Sequence, residues 1–137
     1  MSIWRSIVVL ATVVVLLFPL AGCDSNPFTP NDLRYSVTYS LTVTGSQSAV
    51  TVLTYRDATR TVVINNPTDG WSVQFSLLGD ATIGMNAQGT VENGSIEIKM
   101  EAVESSGGSV TIAQDSCTSQ GSAQPCSLTV ADYKLPN

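Results

Sequence analysis

From residue 34 onward, apolar and polar side chains alternate with a period of two. Tyr35, Val37, Tyr39, Leu41 and Val43 point one way, and Ser36, Thr38, Ser40, Thr42 and Thr44 the other. That period is the mark of an extended strand with one face on a core and one in water. Gly45-Ser46 predicts a turn, Val50 to Tyr55 a second strand rich in β-branched residues, Arg56-Asp57 a turn, and Thr59 to Ile64 the return. Asn65-Asn66-Pro67-Thr68-Asp69-Gly70 is made of turn formers. Trp71, Val73, Phe75 and Leu77 then alternate with Ser72, Gln74 and Ser76. After a break at Gly79-Asp80, Ala81, Ile83, Met85 and Ala87 share a face. Glu92-Asn93-Gly94 predicts a hairpin, because Asn-Gly readily takes the positive φ values of a tight primed turn. Ile96, Ile98, Met100 and Ala102 lie opposite Glu97, Lys99 and Glu101. Gly107-Gly108 turns the chain, Ser109 to Gln114 is another strand, and Ser127 to Tyr133 is the last.

Short strands spaced about ten residues apart, with no helical pattern among them, predict an all-β domain. The alternating faces supply two half-buried sheets with a shared core. They favour a single antiparallel β-sandwich, immunoglobulin-like, of about seven or eight strands, over a barrel. Trp71 is the expected core anchor.

The N-terminal segment follows a different pattern. Arg5 is the only charge before Asp24, and Ile7 to Leu17 is apolar apart from Thr12. A cationic start, an apolar core and small residues at Ala21 and Gly22 predict a secretory signal. A membrane-spanning helix is the rival reading, since about 20 apolar residues suffice to cross a bilayer. Pro19 and Gly22 weaken the end of such a helix, and no basic cluster follows it. Leu20-Ala21-Gly22-Cys23 resembles the lipobox of bacterial lipoproteins. The resemblance implies cleavage between Gly22 and Cys23, a diacylglycerol thioether on Cys23, and acylation of its new amine in many bacteria. The first partner is then the lipid bilayer, and the location is the cell envelope, facing the periplasm or the exterior. Two or three acyl chains hold lastingly where one holds only marginally. The expected organisation is a signal peptide at 1–22, the lipidated cysteine and a tether at 23–33, and the sandwich at 34–137. Pro27 and Pro30 discourage regular structure in the tether, which spans roughly 30 Å if fully extended.

The chain has 137 residues, enough for one small core. Without Arg5, five basic residues face eleven acidic ones, a net charge of −6. Such a surface argues against nucleic acid and against binding anionic headgroups. Cys117 and Cys126 remain after Cys23 is assigned to lipid, an even pair in an oxidising compartment. They predict a disulfide closing the loop Thr118 to Pro125, stapling two late strands at one end rather than crossing the core as in antibody domains. A metal site is the alternative, weakened by the absence of histidine and of a second cysteine pair.

Candidate chemistry is sparse. Without histidine the commonest general base is missing. Ser–Lys catalysis has only Lys99 and Lys134 to draw on, and Lys99 sits between Glu97 and Glu101 on a charge-alternated face. Glu97, Glu101 and Glu104 line one edge, with no aromatic subsite residues in sequence beside them. Asp57, Asn65, Asn66, Asp69 and Asp80 lie in turns, where oxygen-rich loops bind calcium but also simply turn. Tyr35, Tyr39 and Tyr55 line either a cleft or, by the ordinary packing of strands, a core. No catalytic residue, metal ligand or cofactor is assigned, and the domain is expected not to be an enzyme.

Tyr35-Ser36-Val37-Thr38-Tyr39, then Val43-Thr44-Gly45, then Val52-Leu53-Thr54-Tyr55-Arg56-Asp57 resembles the opening of MmpS-type domains, across about residues 35–117. Their Pro-Trp-Ser segment is split here, with Thr68-Asp69-Gly70 between Pro67 and Trp71-Ser72. The resemblance implies a β-sandwich that assists a lipid exporter of the envelope, although such proteins usually carry a transmembrane helix in place of a lipobox. The expected function is a membrane-anchored lipoprotein with a non-enzymatic interaction or accessory domain and an envelope protein as partner. A carrier or sensor of a small apolar ligand between the sheets is the alternative.

Overall fold

A computed structural model describes residues 33–108 and 110–137. Among them there is no helix. Eight strands form: β1 (Arg34–Thr44), β2 (Ala49–Arg56), β3 (Thr61–Asn65), β4 (Ser72–Leu78), β5 (Thr82–Val91), β6 (Gly94–Glu104), β7 (Val110–Ser119) and β8 (Gln124–Lys134). They build two antiparallel sheets of four, in the orders β4-β1-β6-β7 and β3-β2-β5-β8. The predicted all-β sandwich is the observed fold. The alternation gives its reason: Tyr35, Val37, Tyr39 and Leu41 of β1 and Ile96, Ile98, Met100 and Ala102 of β6 are buried, as are Ile83, Met85 and Ala87 of β5. These are the facing sides of the two sheets, and among the described residues no polar or charged residue is buried with them.

Two expectations need correction and one is refined. Asn93-Gly94 does not close a hairpin, because β5 and β6 belong to different sheets. Asn93 does take the left-handed conformation (φ 46°), but the turn serves as a corner. A Cβ on Gly94 would lie 2.1 Å from the Thr44 carbonyl oxygen, so only glycine lets β6 start against the end of β1. Ser48 fastens this corner to the β1–β2 corner: its Oγ accepts from Glu92 N–H (3.0 Å) and donates to Glu92 C=O (3.1 Å).

The cystine joins Cys117 to Cys126 and closes the segment Thr118 to Pro125 as expected. Less of that segment is loop than expected: β7 runs on through Cys117 to Ser119 and β8 starts at Gln124, leaving four residues to connect them. Trp71 is not the core anchor. It is half-buried and packs against the core, and among the described residues Tyr39 is the largest fully buried side chain.

Tyr39 connects the two sheets. The last pair between β2 and β5 is Tyr55↔Met85, so the next would be Arg56 with Gly84. The Tyr39 hydroxyl, reaching across from β1, stands in that place. It donates to Arg56 C=O (2.8 Å) and accepts from Gly84 N–H (3.2 Å). Opposite Gly84, β8 carries one extra residue, since Ile83 pairs with Tyr133 but Met85 with Val130. The bulge brings Asp132 over Gly84, where a Cβ would meet its carboxylate, and Asp132 in turn takes both guanidinium contacts of Arg56 (3.1 Å each).

Candidate interaction edge

Each sheet ends in two edge strands, β4 and β7 in one, β3 and β8 in the other. The β7 and β8 edges are sewn together. Cys117 and Cys126 form a disulfide, with Cα atoms 6.2 Å apart. One strand-pair step away, Asp115 faces inward from β7 and its Oδ2 accepts the Thr129 N–H of β8 at 2.9 Å. The bridge therefore joins the sheets at their rim, towards the end that carries the β7–β8 connection.

The opposite side is built otherwise. Leu41 of β1 exchanges main-chain hydrogen bonds with Trp71 (2.9 Å) and Gly70 (3.2 Å). Antiparallel pairing alternates residue by residue, so Tyr39, Val37 and Tyr35 also turn their main-chain groups to β4, onto Val73, Phe75 and Leu77. The N–H and C=O groups of Ser72, Gln74 and Ser76 then point along the open edge. β4 pairs with β1 in seven consecutive positions without a bulge, and its segment has no charge and no proline between Asp69 and Asp80. Soluble proteins usually blunt such edges with lysine, proline or a bulge. Beyond the end of β4 the edge of β1 is blocked: Asp69 Oδ1 takes the Val43 N–H at 2.7 Å.

An aromatic cluster lies under this edge. Tyr39 and Phe75 have ring centroids 5.6 Å apart, Tyr39 and Tyr55 5.2 Å, Tyr55 and Trp71 5.5 Å, and Tyr55 and Phe75 6.2 Å. Tyr55, Trp71 and Phe75 are half-buried. On the outer face the edge carries small polar groups, and Gln74 Nε2 donates to Ser36 Oγ at 2.7 Å. An added strand would find main-chain partners, an apolar inner flank and a polar outer one.

The residues singled out from sequence fall elsewhere. Gly22 and Cys23 lie outside the described residues. Lys99 pairs with Glu101 (2.8 Å) and Lys134 with Asp80 (3.0 Å), at separate places. Glu104 accepts from the Ser106 hydroxyl, and Glu97 stands on the outer face opposite Thr42 and Ser116. The turn acids organise their own turns. Asp57 Oδ1 accepts from Thr59 N–H (2.8 Å) and Arg60 N–H (2.9 Å), and the Thr59 and then the Arg60 amide hold its pKa below the usual range. Among the described residues no three Asp, Glu or Cys side chains gather as a metal site. Tyr35 and Tyr39 are core residues, which favours packing over a cleft.

Two open depressions among the described residues are lined mainly by polar side chains. One of about 490 Å³ is lined by Asn93, Gly94, Thr118, Ser119 and Gln120. Another, of about 330 Å³, lies over the β2–β3 turn between Arg56 and Thr61. The exposed β4 edge is the feature that strand periodicity could not locate, because edge position depends on strand order. The run of eleven positions from Gly70 to Asp80 holding a single charge, at its last residue, was the available signal. Comparison of the chain with protein families, curated proteins and solved structures finds no match.

Proposed function

We propose that this chain is a lipid-anchored lipoprotein of the bacterial cell envelope whose sandwich is a non-enzymatic interaction module, and that an envelope partner adds a strand to β4. The observation that carries the reading is the contrast between the two sides. One pair of edges is sealed by a disulfide and a carboxylate, while β4 presents a straight, uncharged edge above an aromatic cluster. Strand addition draws affinity from main-chain hydrogen bonds and specificity from alternate side chains. The resemblance to MmpS-type domains makes an envelope transport complex the first partner class to look for. The carrier alternative has less support, because Ile83, Met85, Ile96 and Ile98 occupy the space between the sheets and are fully buried.

The test compares affinity capture from cross-linked membranes by tagged, lipidated wild type and by Gln74→Pro. The Gln74 N–H points to the open edge, where proline is tolerated in a strand, so the fold is expected to survive. One abundant membrane complex is expected with wild type, and its recovery should drop by roughly tenfold or more in the variant. Equal recovery would remove β4 from the interface, and recovery of nothing above background from wild type would remove the stable partner.

A further inference from the structure

The two ends of the sandwich differ in charge and in apolar exposure. One end gathers Leu33, the β2–β3, β4–β5 and β6–β7 turns, and the C-terminal segment. Gly79 N–H donates to Leu33 C=O (2.7 Å), Ser105 N–H to Arg34 C=O (2.7 Å), and Asp80 N–H to Leu135 C=O (3.1 Å). The opposite end holds the β1–β2, β5–β6 and β7–β8 corners.

Four of the five basic residues in 33–137, Arg34, Arg56, Arg60 and Lys134, stand at the first end. They are matched there by Asp57, Asp80, Glu104 and Asp132, with ion pairs Arg56–Asp132 (3.1 Å), Arg60–Asp57 (3.5 Å) and Lys134–Asp80 (3.0 Å). Lys99 and Glu101 neutralise each other in mid-strand. Asp69, Glu92, Glu97 and Asp115 remain in the far half, and Lys99, the basic residue nearest them along β6, is paired with Glu101. The net charge of −4 over 33–137 thus comes from the far half alone.

Apart from Val63 in the middle of β3, the large apolar side chains exposed among the described residues lie towards the first end. The outer face of the β1 sheet is Ser, Thr, Gln and charge over most of its length. Near the first end it carries Val103, Val110 and Ile112, exposed by 39%, 55% and 56%. Val103 pairs directly with Val110, and Ile112 lies on the diagonal, opposite Glu101. Leu78, 47% exposed, sits at the same end on the β4 edge.

The chain from Cys23 reaches the domain at Leu33, at this end. Ten residues span at most about 35 Å, roughly the length of an eleven-residue strand such as β1. We propose that this end, with Val103, Val110 and Ile112 at the β7 corner, rests on the lipid bilayer, and that the acidic half points away from it. The proposal rests on the lipoprotein reading. Anionic headgroups repel the acidic half over about a Debye length of 8–10 Å, while the charge-balanced end meets no such repulsion and its exposed apolar side chains leave water. A domain seated on its β7 corner keeps the β4 edge, on the far side of the same sheet, open to a partner.

The experiment uses mature protein purified from membranes and reconstituted in vesicles of mixed zwitterionic and anionic phospholipid, with or without bromine on the acyl chains. Trp71 is the sole tryptophan after Gly22; its main chain pairs with Leu41 in the far half of β1, and its indole packs on Tyr55 on the β4 side, away from the β7 corner. Wild type is compared with Ile112→Trp in a Trp71→Phe background, a change at an exposed position. Interfacial side chains sit about 5–10 Å into the headgroup boundary, so the added indole is expected to lose roughly half its emission or more to brominated lipid. Trp71 of wild type should keep its emission. If the protein floats with the vesicles and the added indole is unquenched, or both indoles are quenched alike, the orientation is overturned while the anchor stands. If the protein does not float and Cys23 carries no lipid mass, the anchor and the orientation fall together.

Discussion

Tyr39→Ala is expected to lower the unfolding free energy by about 3–5 kcal/mol, and Tyr39→Phe by about 1–3 kcal/mol. The first figure follows from removing a large, fully buried ring that Tyr55 and Phe75 pack against. The second isolates the hydroxyl, which links Arg56 C=O and Gly84 N–H where the β2–β5 ladder stops. Phenylalanine keeps the ring and strands a buried amide. Small domains have only about 5–15 kcal/mol in hand, so the alanine variant should be close to unfolded at ordinary temperature. Urea titrations read both as shifts in midpoint at constant slope. Alkaline pH gives an independent reading. Burial pushes the Tyr39 hydroxyl up from 10.0 to about 12, against the opposing pull of the Gly84 N–H and Arg56. The folded pKa lies above the unfolded one, so this contribution is complete below pH 10 and is lost as pH rises through about 12. Wild-type stability should therefore fall more steeply than that of Tyr39→Phe across this window. Tyr35, also raised by burial and then by Glu104, is common to both proteins and cancels. Parallel curves would mean that the hydroxyl is not held as described.

The strands were legible because each half-buried face writes its own alternation, and β1, β5 and β6 match it side chain by side chain. What alternation cannot carry is which strands become neighbours. Asn93-Gly94 has the local conformation of a hairpin turn, yet the sheet assignment is decided by Thr44↔Ser95 pairing some fifty positions apart in sequence. The sequence predicts an end of β7 at Gln114, because the run Val110 to Ala113 gives way to Gln114-Asp115-Ser116, polar on both faces. The partner of Asp115, the Thr129 amide, lies in the next strand and leaves no trace near it in sequence. The same holds for Tyr39: its periodicity says only that it points inward, and its partners Arg56 and Gly84 are main-chain groups without a side-chain signature. Of the candidate site, the cysteine pair was readable by elimination, whereas the open β4 edge appears only once β1 is seen to have β4 on one side and β6 on the other.

The seam between β7 and β8 carries the other large expected effect. Replacing both cysteines, Cys117→Ser with Cys126→Ser, should cost about 2–4 kcal/mol. The bridge spans nine positions, and loop-closure entropy for so short a ring accounts for roughly 2–3 kcal/mol of that. The native side adds to it. Among the described strands the main-chain ladder of β7 is with β6 alone and that of β8 with β5 alone, so the cystine and the Asp115–Thr129 bond tie the two rims together. Cysteine loss should therefore act locally as well as globally. The Thr129 amide should lose exchange protection in excess of its neighbours in β5, because its acceptor sits on the strand that swings free. Asp115→Ala made in the cysteine-free protein should cost less than in wild type, since both changes release the same seam and neighbouring effects do not add. Opening the seam also exposes two more strand edges, so the reduced protein should associate at concentrations where the oxidised one does not. Urea unfolding with and without reductant reads the first effect, and amide exchange at Thr129 the second. An unchanged midpoint on reduction would show that β7 and β8 are held by packing alone. Additive losses for the cysteine and Asp115 changes would show that the two ties act on separate parts of the rim.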